Sequence, residues 1–218
     1  MKITFWGAAR TVTGSQHLID IAGERVLLDC GLYQGRRDDA NSINQTFPFD
    51  PASLQAMVLS HAHIDHSGNI PNLVKQGFTG PIHATFATED ICHAMLMDSA
   101  KIQEEDAKFL NKRGGGPTIE PLYMMADAEL ALTRFQNEAY DKPFQVTPNM
   151  QVRFGEAGHM LGSAWEHIRL TEGEKTANVV FSGDLGRFGV TILRDPAPMP
   201  EADYLVIEGT YGGRTHAP

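Results

Sequence analysis

The stretch LSHAHIDHSG, Leu59 to Gly68, places three histidines and an aspartate within six residues. His61, His63, Asp65 and His66 are all metal-ligand types, and they follow the apolar run Ala56-Met57-Val58-Leu59 directly. In an extended segment, residues two apart share a face. His61 and His63 can therefore hold one metal, while Asp65 and His66 turn toward a second position nearby. Neutral imidazole and carboxylate suit zinc, and also iron or manganese. Two ions ~3.5–4 Å apart can share a hydroxide, the working centre of many hydrolases. Core packing does not explain the cluster, because desolvating these groups without partners would cost several kcal/mol.

Further candidates stand at the ends of other apolar runs. Asp29 follows Val26-Leu27-Leu28, and Glu208 follows Leu205-Val206-Ile207. Asp184 comes three residues after Val179-Val180-Phe181, and His159 sits in the glycine-rich loop Gly155 to Gly162. Polar residues just beyond apolar strands collect along one edge of a sheet, which is where α/β folds hold their ligands.

The elements that must position these residues alternate between strand and helix patterns, so the chain reads as α/β. Strands are expected at Ile3–Trp6, Ala56–Leu59, Pro81–Thr85, Gln151–Phe154, Ala164–Leu170, Ala177–Phe181 and Tyr204–Ile207, with a hairpin over Gln16–Ile21 and Arg25–Leu28. A short helix is expected over Asn69–Gln76, ended by Gly77. A long one runs from Thr88 toward Asn111 through Ile91, Met95, Ile102 and Phe109, broken by Gly114-Gly115-Gly116-Pro117. Ala126–Asn137 reads as another helix, in a stretch poor in strand signals.

Composition bounds the function. The 218 residues are 42% hydrophobic, enough for one large core. Eighteen basic against 27 acidic residues give a net charge of -9, which excludes a protein that grips nucleic acid over its whole surface. A local groove, or metal ions that supply the positive charge, stays open. Two cysteines without CxxC spacing, Cys30 and Cys92, fit a reducing cytoplasm rather than a disulfide framework. No signal peptide or membrane span is expected.

His61-Ala62-His63-Ile64-Asp65-His66 resembles the HxHxDH signature of the metallo-β-lactamase superfamily. Gly158-His159-Met160-Leu161-Gly162-Ser163-Ala164 resembles its third motif, Ser182-Gly183-Asp184 its fourth, and Leu27-Leu28-Asp29-Cys30-Gly31 its first. GAARTVTGS near the start and IEGTYGGRTH at the end are similar to the β-CASP branch, which processes RNA and, in some members, DNA. The resemblance implies an αββα sandwich, incomplete at its C-terminus. Residues 1–218 would form the N-terminal portion of the lactamase domain, with a helical excursion at about 100–145. It implies two zinc ions: His61, His63 and His159 on the first, Asp65 and His66 on the second, Asp184 bridging. Asp29 would orient the ligand loop, and Glu208 matches an acidic residue of the branch. The implied reaction is cleavage of RNA phosphodiester bonds through a metal-bridging hydroxide.

In that branch a β-CASP domain is inserted after the motif at Glu208, and this chain ends at Pro218. Two later histidines, one a ligand of the second zinc and one a general acid, would lie beyond it. The second ion is then expected to be partly held, with activity belonging to a longer protein. Neither His216 nor His17 reads as a replacement ligand, and His83, His93 and His167 read as structural or surface residues. The expected partners are single-stranded RNA, the β-CASP and C-terminal segments, and a homodimer mate at an open sheet edge. The competing readings are a hydrolase of a small ester, lactone or thioester, and a non-catalytic RNA-binding subunit.

Overall fold

In a computed structural model, residues 1–113, 118–213 and 215 are described. The first sheet holds six strands in chain order: β1 (Lys2–Phe5), β2 (His17–Ile21), β3 (Glu24–Leu28), β4 (Ala56–Val58), β5 (Ile82–Thr85) and β6 (Phe135–Glu138). β1 to β3 pair antiparallel, and β3 to β6 pair parallel. The second sheet has the order β11-β10-β9-β8-β7. Its strands are β7 (Pro143–Thr147), β8 (Met150–Glu156), β9 (Ala164–Glu172), β10 (Lys175–Phe181) and β11 (Tyr204–Val206). Among the described residues only the β10–β11 pair in it is parallel.

Two apolar layers hold the fold together, and strand alternation decides which residue enters which. Ile19, Ile21, Val26, Leu28 and Val58 face the second sheet, where Val152, Phe154, Ile168, Leu170 and Phe181 meet them. Leu18, Leu27, Met57 and Ile82 point the other way, into the helices α3 (Ile70–Lys75), α4 (Phe86–Arg113) and α5 (Met125–Leu132). Each fully buried aliphatic side chain here contributes roughly 1.5–3 kcal/mol. The result is the expected helix–sheet–sheet stacking of the lactamase sandwich.

Three elements differ from the sequence expectation. The buried stripe of α4 is Thr88, Cys92, Leu96, Ala100 and Ala107, not the larger residues that suggested the helix. Ile91 and Met95 only flank the core, and Ile102 and Phe109 are exposed. Most of that stripe is small, so it carries no period of large apolar residues. The break expected at 114–117 lies outside the described residues. The excursion at 100–145 is helical only as far as Leu132. Phe135–Glu138 and Pro143–Thr147 are edge strands of the two sheets, so the helix expected over Ala126–Asn137 stops early.

The third difference is a helix, α1 (Arg37–Gln45), in a stretch with no apolar period. Hydrogen bonds hold it instead. Asn44 accepts from the Tyr33 amide and donates to its carbonyl, and the side chains of Asn69 and Asn72 both donate to the Asn44 carbonyl.

Candidate metal centre

The sheets deliver their polar residues to one rim, where the two layers meet. β3 ends into Asp29 and β4 into Ser60-His61. Leu28 is paired with Val58, so these two exits lie side by side, and the Asp29 amide donates to the Val58 carbonyl. The short helix α2 (Ile64–Ser67) then carries Asp65 and His66. It is gripped by the chain after Asp29: Cys30 N donates to His66 O, and Leu32 N to Ile64 O. Gly31 is required there, because a Cβ would sit 1.6 Å from the Asp65 carbonyl oxygen.

The second sheet supplies the loops with His159 and Asp184. Ser163 Oγ accepts from the amides of His159 and Met160, which fixes the first loop. Gly186 N donates to Ala157 O, which ties the Asp184 turn to it. A Cβ on Gly186 would lie 1.7 Å from the Gly158 carbonyl oxygen, so only glycine permits this approach. The Ala164 amide donates to Ser60 O and joins both sheets at the rim.

His61, His63, His159 and Asp184 converge, each offering one ligand atom within 4.8 Å of the others. His61 Nε2 lies 3.1 Å from His63 Nδ1, and His159 Nε2 lies 3.0 Å from the same atom. Three imidazole nitrogens facing one point is the arrangement a metal requires. Ligands at the usual zinc distances sit roughly 3.3 Å apart in a tetrahedron. Asp184 Oδ2 is 3.5 Å from His159 Nε2 and 3.9 Å from His61 Nε2. Its other oxygen, Oδ1, is 3.3 Å from His66 Nε2, which itself stands 3.9 Å from Asp65 Oδ2. One carboxylate thus faces two adjoining positions, one among the three histidines and one beside Asp65 and His66. The donor set fits divalent metal ions.

Asp29 is fully buried and holds the frame behind these groups. Its Oδ2 accepts from Ser15 Oγ and Ser60 Oγ at 3.1 Å each and from His66 Nδ1 at 2.8 Å; Oδ1 accepts from the Ser60 amide at 2.9 Å. The bond to Nδ1 leaves His66 Nε2 directed at Asp184 and Asp65, and Ser60 Oγ likewise accepts from His61 Nδ1 at 3.0 Å. Such partners set ring orientation and tautomer. Asp29 sits at φ 57°, a left-handed conformation that aspartate tolerates better than most residues and that recurs at functional sites.

The histidines of the cluster are shifted in opposite directions. Burial lowers the His61 pKa well below the usual histidine value, and His66, His63 and His159 push it further down. His63 is lowered by burial and by His159, against the pull of Asp65 and Asp184. At His66 burial is outweighed by Asp29 and Asp184, and its pKa rises to about 10. Burial raises Asp184, but its bond to His66 and the other histidines leave it below the usual carboxylate value.

Of the residues expected to act, Glu208 stands apart from the ligand cluster. Its Oε1 accepts from Leu185 N at 2.6 Å, and its amide donates to Ser182 Oγ, so it braces the Asp184 turn from behind. His216 lies outside the described residues. His17 is buried between Phe5 and Phe181, with its Nε2 3.4 Å from the Ser15 hydroxyl that donates to Asp29, and it is not part of the converging ligand group. Cys30 and Cys92 are buried free thiols, and burial raises both pKa values, against a nucleophilic role. Ser60 and Ser163 carry positioning roles that the sequence reading missed, although both lie inside the motif stretches. Glu166 was also missed. It faces the interior of the sandwich with neither carboxylate oxygen hydrogen-bonded.

The family model of the metallo-β-lactamase superfamily matches residues 9–213. Ribonuclease TTHA0252 of Thermus thermophilus is 38% identical over 218 residues, which are 100% of this chain and 46% of that protein. Transcription termination factor FttA of Methanocaldococcus jannaschii is 30% identical over 214 residues, 97% of this chain and 32% of that protein. The chain therefore spans less than half the length of these relatives. A metallo-β-lactamase structure from Cronobacter sakazakii superposes with TM-score 0.51 at 16% identity, covering 82% of this chain and 59% of its own.

Proposed function

The chain belongs to the metallo-β-lactamase superfamily, and on that premise we propose that it is the metal-binding part of a zinc-dependent ribonuclease of the β-CASP kind. The observation that carries the proposal is the Asp184 carboxylate, one oxygen toward His159 and the other toward His66. His61, His63 and His159 would hold one zinc, Asp65 and His66 a second, and Asp184 both. When bound, such a pair supplies a nucleophile at neutral pH and charge stabilisation for in-line displacement at phosphorus.

The chain's own residues prepare that site. Asp29 takes the His66 Nδ1 proton as a hydrogen bond and keeps Nε2 aimed at the second position. Ser60 does the same for His61. Glu208 holds the turn that presents Asp184. The reading also accounts for an anionic substrate on a chain of net charge -9, because the ions themselves are the anion-binding element.

RNA as substrate is supported by the relatives named ribonuclease and transcription termination factor. A cytoplasmic setting is supported by that substrate and by the two free thiols. No helix among the described residues is long and apolar enough to cross a membrane. Tyr204 and Leu205 on the β11 edge are exposed, which offers further segments or a second copy a place to add. The test is cleavage of single-stranded RNA, with zinc present, by the protein that carries this chain together with its β-CASP and C-terminal segments, compared with Asp184→Ala. Loss of cleavage with an unchanged circular dichroism spectrum is expected. Equal cleavage by the variant would overturn the proposal.

A further inference from the structure

A cleft of about 420 Å³ opens beside the His159 loop. Its walls are the start of α4, the β6–β7 connection, residues Met160 to Gly162, and Ile192 to Arg194. That volume is in the range of small-ligand sites, about 300–1,000 Å³. Three large apolar side chains stand out of the surface around it: Phe86 is 59% exposed, Leu161 54% and Ile192 82%. A soluble surface does not gather such groups next to a reaction centre without cost.

The cleft is tied rigidly to the metal site. Thr85 Oγ1 and Thr88 Oγ1 both donate to the Gly162 carbonyl, at 2.7 and 2.9 Å. Tyr140 Oη donates to Ser163 O at 2.9 Å. The start of α4, which carries Phe86, is thereby fastened to the loop that presents His159.

The polar lining selects the kind of occupant. Glu138 and Glu156 both line the cleft, against one guanidinium, Arg194. Two carboxylates repel a phosphate. Glu138 Oε1 pairs with His83, and Glu156 Oε1 accepts from Gly158 N. The second oxygen of each can take an N–H donor from a base edge, as carboxylates do with amino groups of bases. Arg194 can donate to a base carbonyl. An apolar, aromatic-edged cleft with acceptors and one donor suits a nucleobase, whose π-face stacks on Phe86 while its phosphate stays outside.

We propose that this cleft is the base-binding subsite for the nucleotide next to the scissile phosphate. The proposal rests on the ribonuclease reading of the metal centre, and its test can fail separately from that reading. Phe86→Ala and Leu161→Ala change exposed side chains that do not face the ligands, so fold and zinc binding should persist. Binding of a short single-stranded RNA, read by fluorescence anisotropy, should weaken roughly 5- to 100-fold in Phe86→Ala. KM for RNA cleavage should rise in proportion, with little change in kcat. Zinc content, read by mass spectrometry, should match the wild type. An RNA abasic beside the cleavage site should bind wild type and variant equally. Unchanged RNA affinity in both variants would overturn the subsite, even if wild type cleaves RNA. Absence of cleavage by the longer protein that also carries the β-CASP and C-terminal segments, with the affinity loss intact, would count against the nuclease reading alone. If Phe86→Ala instead dissociates a dimer and leaves RNA affinity intact, the cleft is a protein contact and the proposal is overturned.

Discussion

Asp184 meets His159 with one carboxylate oxygen and His66 with the other, Oδ2 at 3.5 Å from His159 Nε2 and Oδ1 at 3.3 Å from His66 Nε2. The two histidines reach it from different sheets. The carboxylate is therefore the atom group through which the two halves of the site are joined. The bracing of its turn by Glu208 and the close approach at Gly186 acquire their purpose from that position.

Asp29 should matter to affinity without touching the ions. Asp29→Ala leaves the Ser60 amide, both serine hydroxyls and His66 Nδ1 without their buried acceptor. Loss of a buried partner of a ligating histidine lowers metal affinity roughly 10- to 100-fold. Zinc titration of the variant should show that loss chiefly at the position that includes His66. An unchanged zinc isotherm would contradict the role assigned to Asp29.

Glu166 should be a stability liability that grows with pH. It lies between Phe154 and Phe181 on the inner face of the second sheet, fully buried, with no hydrogen bond to either oxygen. Burial raises its pKa well above the ordinary carboxyl value, and Asp29 adds to the effect. The native state therefore keeps the proton longer than the unfolded chain. Stability falls as pH rises above about 4.3, where the unfolded glutamate ionises, and keeps falling until the native group ionises too. Glu166→Leu should stabilise the protein at pH 7 by on the order of 1–3 kcal/mol, the cost of an unsatisfied buried polar group. Denaturant melts across pH 4 to 8 check this. A variant whose advantage does not grow with pH would contradict it.

The convergence of His61, His63, His159 and Asp184 was legible in the sequence because each follows an apolar strand, and strand ends at one rim become neighbours whatever their separation along the chain. His61 and His159 are 98 positions apart by number, yet their loops meet at the Ala164–Ser60 hydrogen bond. The stacking of the two sheets came only from the resemblance to the superfamily, while the strands themselves were readable as short apolar runs such as Val179-Val180-Phe181. Elements held by polar contacts left no such signal. α1 is fixed through Asn44, and the stripe of α4 runs through Thr88, Cys92 and Ala100, which periodicity of large apolar residues overlooks. β6 and β7 are edge strands with half their residues toward solvent, so their apolar pattern is weak. Glu166 was hidden because its strand, Ala164–Glu172, shows the right inward alternation with a carboxylate standing in an apolar register.

The measurement that tests the two-position site most directly is zinc titration of the metal-free protein, with stoichiometry from mass spectrometry, in wild type and in Asp184→Asn. The account predicts two classes of binding in wild type, the first lost in His63→Ala and the weaker second lost in His66→Ala. It predicts that Asp184→Asn weakens both. A single class of zinc at one per chain, or an Asp184→Asn variant that weakens one class and spares the other, would contradict a carboxylate shared between two metal positions.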